Sequence, residues 1–227
     1  MSKIYFEVDE KQLKNREKIH KNKDIENLIN IFLNDSSCIN LIDDINSLFY
    51  IVNEESLNDF VQLHQTFYEG DELHNFNKIS SCFKSLVNSN LSYTNIRGGF
   101  LEQLVYVFNC KKYPDDKVYK EIKVKADSFE SNLTFDVGIR FNNNLNVYEC
   151  KFSKKFIERK HIDNLASMRK FKTITSCLIV FENKVEIDHT LKKLRNNTKK
   201  EEYNKILKSF QIITLDDFKN GYFHDYN

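Results

Sequence analysis

The segment NLTFDVGIRFNNNLNVYECKFS, residues 132–153, constrains the fold of this chain more than any other. It contains two apolar stretches with alternating polarity, and three consecutive asparagines separate them. Such alternation is typical of β-strands, and asparagine tolerates the positive φ of tight hairpin turns. We therefore predict an antiparallel hairpin whose strands are residues 133–141 and 145–153.

Three charged residues lie in the middle of these predicted strands. Asp136 belongs to the first strand, and Glu149 and Lys151 belong to the second. Acidic residues are disfavoured in strand interiors, and a buried charge is costly unless it is paired or coordinated. The Glu-x-Lys spacing alone is weak evidence, because the chain contains it four times. The other copies begin at Glu121, Glu158 and Glu182.

The length of the hairpin turn decides whether the three charges meet. Directly paired residues share a face of the sheet, and side chains alternate between the two faces. A two-residue turn at 143–144 pairs Asp136 with Lys151, whereas a turn at 142–143 pairs Asp136 with Glu149. A three-residue turn would place Asp136 on the opposite face. We predict one of the two-residue turns.

Two neighbouring carboxylates repel each other unless a cation lies between them. Mg²⁺ and Mn²⁺ prefer oxygen ligands, and they can orient a water molecule, lower its pKa and polarise a phosphodiester. The Lys151 ammonium would orient the water or stabilise negative charge developing on the phosphate. Asp136, Glu149 and Lys151 thus suit metal-dependent phosphodiester hydrolysis. The alternative is a salt-bridge ladder between Asp136 and Lys151 on a solvated sheet.

The segments around the hairpin predict an α/β fold. Their order is helix, three strands, helix and strand, followed by another helix and a last strand, which indicates a mixed central sheet flanked by helices. The predicted elements outside the hairpin are a helix at 98–109, a strand at 117–126, a helix at 160–172, a strand at 175–182, a helix at 186–210 and a strand at 210–218.

A mainly helical region precedes this part, so we predict two domains, 1–90 and 91–227. The predicted N-terminal helices are residues 23–34, 54–69 and 76–89. Residues 1–90 hold 9 basic and 15 acidic residues, whereas residues 91–227 hold 25 and 18. This asymmetry suggests two units with different partners, and ordinary variation in surface charge is the alternative.

The cysteines and the hydropathy pattern favour a cytoplasmic protein. The five cysteines are odd in number, widely spaced and without a zinc-binding pattern. No apolar run is long enough to span a bilayer, and the first residues lack a secretory core. We expect reduced thiols, a cytoplasmic location and no membrane partner.

The hairpin and the helix RGGFLEQLVYVF, residues 97–108, together resemble the PD-(D/E)XK nuclease superfamily. Asp136 matches the first acid of that signature, and Glu149 and Lys151 match its Glu-x-Lys. Phe135 replaces the family's proline. The resemblance implies a restriction-endonuclease-like core, and it is strongest to the nuclease domains of CRISPR ancillary nucleases that carry CARF sensor domains.

This resemblance also implies roles for individual residues. Glu102 matches an acid of the first core helix, so Asp136, Glu149 and Glu102 are expected to bind Mg²⁺ or Mn²⁺, with Lys151 assisting the attack. Cys150 is expected in the core and His161 in a structural role. The predicted nucleic-acid-binding residues are Lys154, Lys155, Lys160 and Asn164. The lysines are candidates because they follow the hairpin closely, and a solvated charged face is the alternative for them.

The leading hypothesis is a metal-dependent endonuclease that cuts DNA, and the resemblance implies a role in defence against foreign nucleic acid. RNA as substrate is the alternative within the same chemistry. A non-catalytic module that binds nucleic acid or protein is the alternative from another class. Residues 1–90 are a candidate surface for a protein partner or for dimerisation, since nucleases of this fold often pair.

Overall fold

The computed structural model of the chain describes residues 4–223, apart from the side chain of residue 115. It contains a mixed sheet and helices that flank it, as predicted. The helices are α1 Glu10–His20, α2 Lys23–Asn34, α3 Ile42–Leu48, α4 Glu54–His64, α5 Gly70–Val87, α6 Tyr93–Lys112, α7 Arg159–Ser167, α8 Lys184–Lys193, α9 Lys200–Leu207 and α10 Leu215–Lys219. The strands are β1 Tyr5–Val8, β2 Val118–Ala126, β3 Phe129–Glu130, β4 Phe135–Phe141, β5 Asn144–Lys151, β6 Ile174–Val180 and β7 Gln211–Ile213.

Within the described residues, seven strands form one sheet in the order β1-β2-β4-β5-β6-β7, with β3 paired to β2. The strands from β1 to β5 pair antiparallel, whereas β5, β6 and β7 pair parallel. Helix α7 connects the parallel neighbours β5 and β6, because parallel strands need a long crossover. The predicted order of helix, three strands, helix and strand is therefore confirmed, with β3 as a short addition.

The chain divides into two compact units. The sheet unit comprises Met1–Asn15 and Val105–Asp216, and the helical unit comprises Arg16–Leu104 and Asp217–Asn227. Residues 1–90 are mainly helical, as predicted, but β1 pairs antiparallel with β2 and so belongs to the sheet unit. As units of folding, the predicted domains 1–90 and 91–227 stay a prediction.

One face of the sheet packs against helices of its own unit. Their buried residues join the strand residues Val147, Leu178 and Val180 in a single apolar cluster. The helical contributions are Ile162 and Leu165 from α7, Ile187 and Leu191 from α8, and Tyr203 from α9. This packing fixes α7 beside the strand that carries Glu149 and Lys151.

Three predicted elements differ from the observed ones. The predicted helix at 186–210 is two helices, α8 and α9, with residues 194–199 between them. Helix α6 does not open at the glycine pair but begins at Tyr93, after Ser92, whose hydroxyl accepts a 3.4 Å hydrogen bond from the backbone N–H of Asn95. Strand β7 covers only residues 211–213, and Leu215–Lys219 forms α10 instead.

None of the helices within residues 4–223 is both long and apolar enough to cross a membrane.

Candidate active site

The hairpin adopts one of the two predicted registers. Its terminal pair is Phe141 with Asn144, so the turn consists of residues 142 and 143, and Asn142 has a φ of 55°. The ladder reaches the pair Val137 with Tyr148. Continued by one residue, this register places Asp136 opposite Glu149.

The side chain of Asp136 takes part in the pairing of β4 with β5. The Asp136 Oδ2 atom accepts a 2.6 Å hydrogen bond from the backbone N–H of Cys150. Cys150 itself is buried, as predicted. This bond fixes the Asp136 carboxylate against β5, next to Glu149 and Lys151, which flank Cys150 in sequence.

Glu149 and Lys151 form a buried ion pair on β5. Glu149 is only 3% exposed. Burial by itself would lower the pKa of Lys151, but the negative charges of Asp136 and then Glu149 outweigh it and raise that pKa above its usual value. The ammonium therefore stays charged and lies within the electrostatic influence of both carboxylates.

His161, in the first turn of α7, lies over this ion pair. Its Nδ1 accepts a 3.0 Å hydrogen bond from the backbone N–H of Glu158, while its Nε2 lies 3.8 Å from Glu149 Oε1. Burial and the positive charge of Lys151 lower the pKa of His161 to about 4. His161 is thus neutral near pH 7 and caps its helix, in line with the expected structural role.

Glu121 is a candidate site residue that the sequence pattern alone did not single out. The β2–β4 pairs on either side of it are Lys120 with Val137 and Ile122 with Phe135. The register therefore places Glu121 on β2 opposite Asp136 on β4. Glu149 on β5 lies on the other side of Asp136. Glu121 is 5% exposed and has a φ of 48°. Positive φ is costly for a residue with a side chain, and such strain clusters at functional sites.

The signal that could have found Glu121 is its own Glu-x-Lys spacing with Lys123 inside a predicted strand. No aspartate stands 13 residues before Glu121, where Phe108 lies, so this copy lacks the spacing that separates Asp136 from Glu149. The partner acid instead follows Glu121 in sequence, at Asp136.

Glu102 belongs to the helical unit and is buried there. Its Oε1 lies 3.1 Å from Arg16 Nη1, and its Oε2 lies 3.7 Å from His20 Nε2. The Arg16 cation explains how a carboxylate tolerates this burial. Its role as a metal ligand stays a prediction.

The predicted nucleic-acid-binding lysines have different surroundings. The Lys154 ammonium pairs with Glu186 and lies 3.8 Å from Glu182. Lys160 pairs with Glu158 at 2.8 Å, with both side chains more than half exposed. Lys155 is exposed. Exposed ion pairs are weak, so Lys155 and Lys160 stay accessible to a phosphate, whereas Lys154 is engaged by two carboxylates.

Asn164 has a structural position instead. It is 1% exposed, and its amide exchanges hydrogen bonds of 3.3 and 3.4 Å with the backbone N–H and C=O of Leu133. These bonds fasten α7 to the segment before β4. In this conformation Asn164 presents no surface to a nucleic acid.

The residues around Asp136 fit a hard divalent cation by the chemistry of their donors. Asp136 and Glu149 supply carboxylate oxygens, which Mg²⁺ and Mn²⁺ prefer. The neighbouring ammonium of Lys151 compensates the carboxylates in the absence of an ion. The arrangement can therefore bind a cation at the end of the β4–β5 ladder.

Comparisons with known proteins find similarity to solved structures. No family model matches the chain, and no curated protein matches it in sequence. A solved structure of protein VC1899 from Vibrio cholerae is similar over 96% of this chain, with 15% identity and a TM-score of 0.45. This chain spans 56% of the length of that one.

Proposed function

We propose that this protein is a metal-dependent nuclease of the PD-(D/E)XK type, with a restriction-endonuclease-like core, that hydrolyses phosphodiester bonds of DNA. One observation carries the proposal. The hairpin register sets Asp136 opposite Glu149, and the negative charges of both carboxylates raise the pKa of Lys151. The order of α6, β2, β4, β5, α7 and β6 supports the same core.

Asp136 and Glu149 would hold Mg²⁺ or Mn²⁺. The bound ion supplies a Lewis acid and a water of lowered pKa. Lys151 is positioned to orient the attacking water and to stabilise negative charge on the phosphate oxygens. The carboxylates of Asp136 and Glu149 raise the pKa of Lys151 in the metal-free protein, and its proposed role is that of a positive charge.

The test is cleavage of labelled single-stranded and duplex DNA, and of the matching RNAs, with Mg²⁺, Mn²⁺ or EDTA. Wild type is compared with Asp136→Asn and Lys151→Met. Matched controls are Asp188→Asn and Lys172→Met, which change exposed residues of the same unit. We expect each site variant to lose about a hundredfold or more in rate, as for other stabilisers of developing charge, while the controls keep wild-type rates.

Equal cleavage by wild type and Lys151→Met would refute the mechanism. RNA cleavage without DNA cleavage would show that the substrate is RNA and not DNA. Tight binding of nucleic acid without cleavage under any metal condition would favour the non-catalytic module.

A further inference from the structure

The loop between α8 and α9 concentrates positive charge. This basic loop, residues 192–200 with the sequence KKLRNNTKK, contains five cations and no acidic residue. All five cationic side chains are exposed, namely Lys192, Lys193, Arg195, Lys199 and Lys200. Glu201 and Glu202 follow in the first turn of α9, where acids suit the helix dipole.

Helix stability explains only part of this charge. Lys192 and Lys193 lie in the last turn of α8, where cations are favourable. Lys199 is the N-cap of α9 and Lys200 is its first residue, where the helix dipole disfavours cations. Folding therefore gives no reason for Lys199 and Lys200, and their mutual repulsion adds to the cost.

The backbone of the basic loop is held in place by Arg159 at the start of α7. The Arg159 Nη1 atom donates to Leu194 O at 3.3 Å, to Arg195 O at 3.4 Å and to Thr198 Oγ1 at 3.1 Å. Its guanidinium also lies 5.0 Å from the centre of the Tyr203 ring. A loop ordered before binding loses less entropy when it meets a charged ligand.

The same turn of α7 connects the basic loop to the candidate active site. Arg159 bonds to the loop, and His161, two residues further on, lies 3.8 Å from Glu149 Oε1. Side chains two residues apart project from different sides of a helix, so the basic loop and Glu149 contact different sides of α7.

We propose that the basic loop binds the phosphate backbone of a nucleic acid, independently of its sequence. A polymer with a phosphate at every nucleotide suits several cations in a short, acid-free segment. The use of this surface for a nuclease substrate rests on the proposed nuclease function. The binding surface itself rests only on the charge and order of the loop.

The test measures binding to labelled single-stranded and duplex oligonucleotides by fluorescence anisotropy, in EDTA and at several NaCl concentrations. The loop variant carries Arg195→Gln, Lys199→Gln and Lys200→Gln. The control variant carries Lys11→Gln, Lys14→Gln and Lys18→Gln, which remove the same charge from exposed positions of α1. Thermal melting checks that both variants are folded.

For the loop variant, we expect the slope of log K against log salt to become shallower by about 2 to 3, and the affinity at low salt to fall by about tenfold or more. The control variant should stay near wild type. Because Lys199 and Lys200 oppose the dipole of α9, the loop variant should melt no lower than wild type.

Equal loss in the two variants, or no wild-type binding to any oligonucleotide, would overturn the proposal. So would wild-type binding to phosphatidylserine vesicles without binding to oligonucleotides, which would assign the loop to a membrane surface. A loop effect without cleavage by wild type in Mg²⁺ would leave this inference standing and remove the nuclease function. Cleavage by wild type with unaltered binding by the loop variant would support the nuclease function and remove this inference.

Discussion

At the scale of single residues, Lys151 holds the candidate site together in the absence of metal. Its ammonium pairs with the buried Glu149 carboxylate and also lies in the field of Asp136. A buried charge that loses its partner is strongly destabilising. The Lys151 ammonium therefore compensates the two carboxylates in the metal-free protein, and a divalent cation can compensate the same carboxylates when it is bound.

We predict that Lys151→Met destabilises the metal-free protein by about 3–5 kcal/mol, because Glu149 then remains buried without its cation. Mg²⁺ should restore part of this loss, so the variant should show a larger Mg²⁺-dependent rise in melting temperature than wild type. Urea unfolding and thermal melting, each with Mg²⁺ and with EDTA, measure both effects. If Mg²⁺ changed the melting temperature of neither protein, that result would contradict the proposed metal site.

His161 gives the folded protein a defined dependence on pH. Its pKa falls from 6.5 to about 4 on folding, chiefly because the ring is buried. Between these values the unfolded chain binds the proton more strongly, so stability is fully present above pH 6.5 and is lost as the pH falls towards 4. The shift corresponds to about 3 kcal/mol.

We predict that His161→Gln flattens the pH dependence of the unfolding free energy between pH 6.5 and 4. His189→Gln, at an exposed position of α8, should leave that dependence unchanged. Urea denaturation at a series of pH values is the measurement. An unaltered profile in His161→Gln would show that other groups cause the acid sensitivity.

At the scale of elements, adjacent glycines in α6 have opposite requirements. A Cβ on Gly98 would lie 3.5 Å from Arg16 Nη1 and from Glu102 Oε1, which is ordinary contact. A Cβ on Gly99 would lie 1.8 Å from Ile19 Cγ2. The close approach to Ile19 therefore requires glycine at residue 99 but not at residue 98.

We predict that Gly98→Ala leaves stability unchanged or raises it by about 0.5–1 kcal/mol, because alanine is the better helix former. Gly99→Ala should lower stability by about 1–3 kcal/mol through overpacking, and the added change Ile19→Ala should relieve part of that strain. Urea unfolding of the three variants tests this. Equal effects of the two alanines would show that α6 shifts freely to make room.

The sequence was most informative where periodicity and turn chemistry act locally. The helix at residues 23–34 and the hairpin with its two-residue turn were predictable, because apolar spacing and asparagine decide them. Strand β1 was not predicted, because a four-residue strand is defined by its partner β2 and not by its own pattern. The true start of α6 was missed because glycine is disfavoured inside helices, so the glycine pair suggested a helix boundary although it lies within α6.

For the candidate site, alternation located Asp136, Glu149 and Lys151, since their faces follow from the hairpin alone. Glu121 could not be found in the same way, because its position opposite Asp136 depends on the pairing of β2 with β4. The burial of Asn164 also follows from a contact distant in sequence, with Leu133. Sequence spacing carries no information on such pairings.

At the scale of the whole molecule, charge divides more sharply by compact unit than by position in the chain. The sheet unit contains 26 basic and 18 acidic residues, a net charge of +8, whereas the helical unit contains 8 and 15, a net charge of −7. A basic unit suits a polyanionic ligand. The near-neutral net charge of the chain conceals this division.

The thiols report on the integrity of the whole fold. Cys38, Cys82, Cys150 and Cys177 are buried, and Cys110 is partly exposed. Burial raises the pKa of Cys38 to about 12 and that of Cys82 to about 11, which suppresses the reactive thiolate. We predict that only Cys110 reacts rapidly with Ellman's reagent in the native protein and that all five react in urea. Fast reaction of a second thiol in native buffer would contradict the described packing.

The hydrogen bond between Asp136 Oδ2 and the Cys150 backbone has a consequence for how this protein can diverge. The acid that serves the proposed chemistry also replaces a backbone acceptor in the pairing of two strands. A descendant that no longer needed catalysis would still need an acceptor there, and asparagine can supply one. Relaxed selection should therefore turn Asp136 into asparagine sooner than into an apolar residue, so an aspartate retained at this position is not by itself evidence of activity.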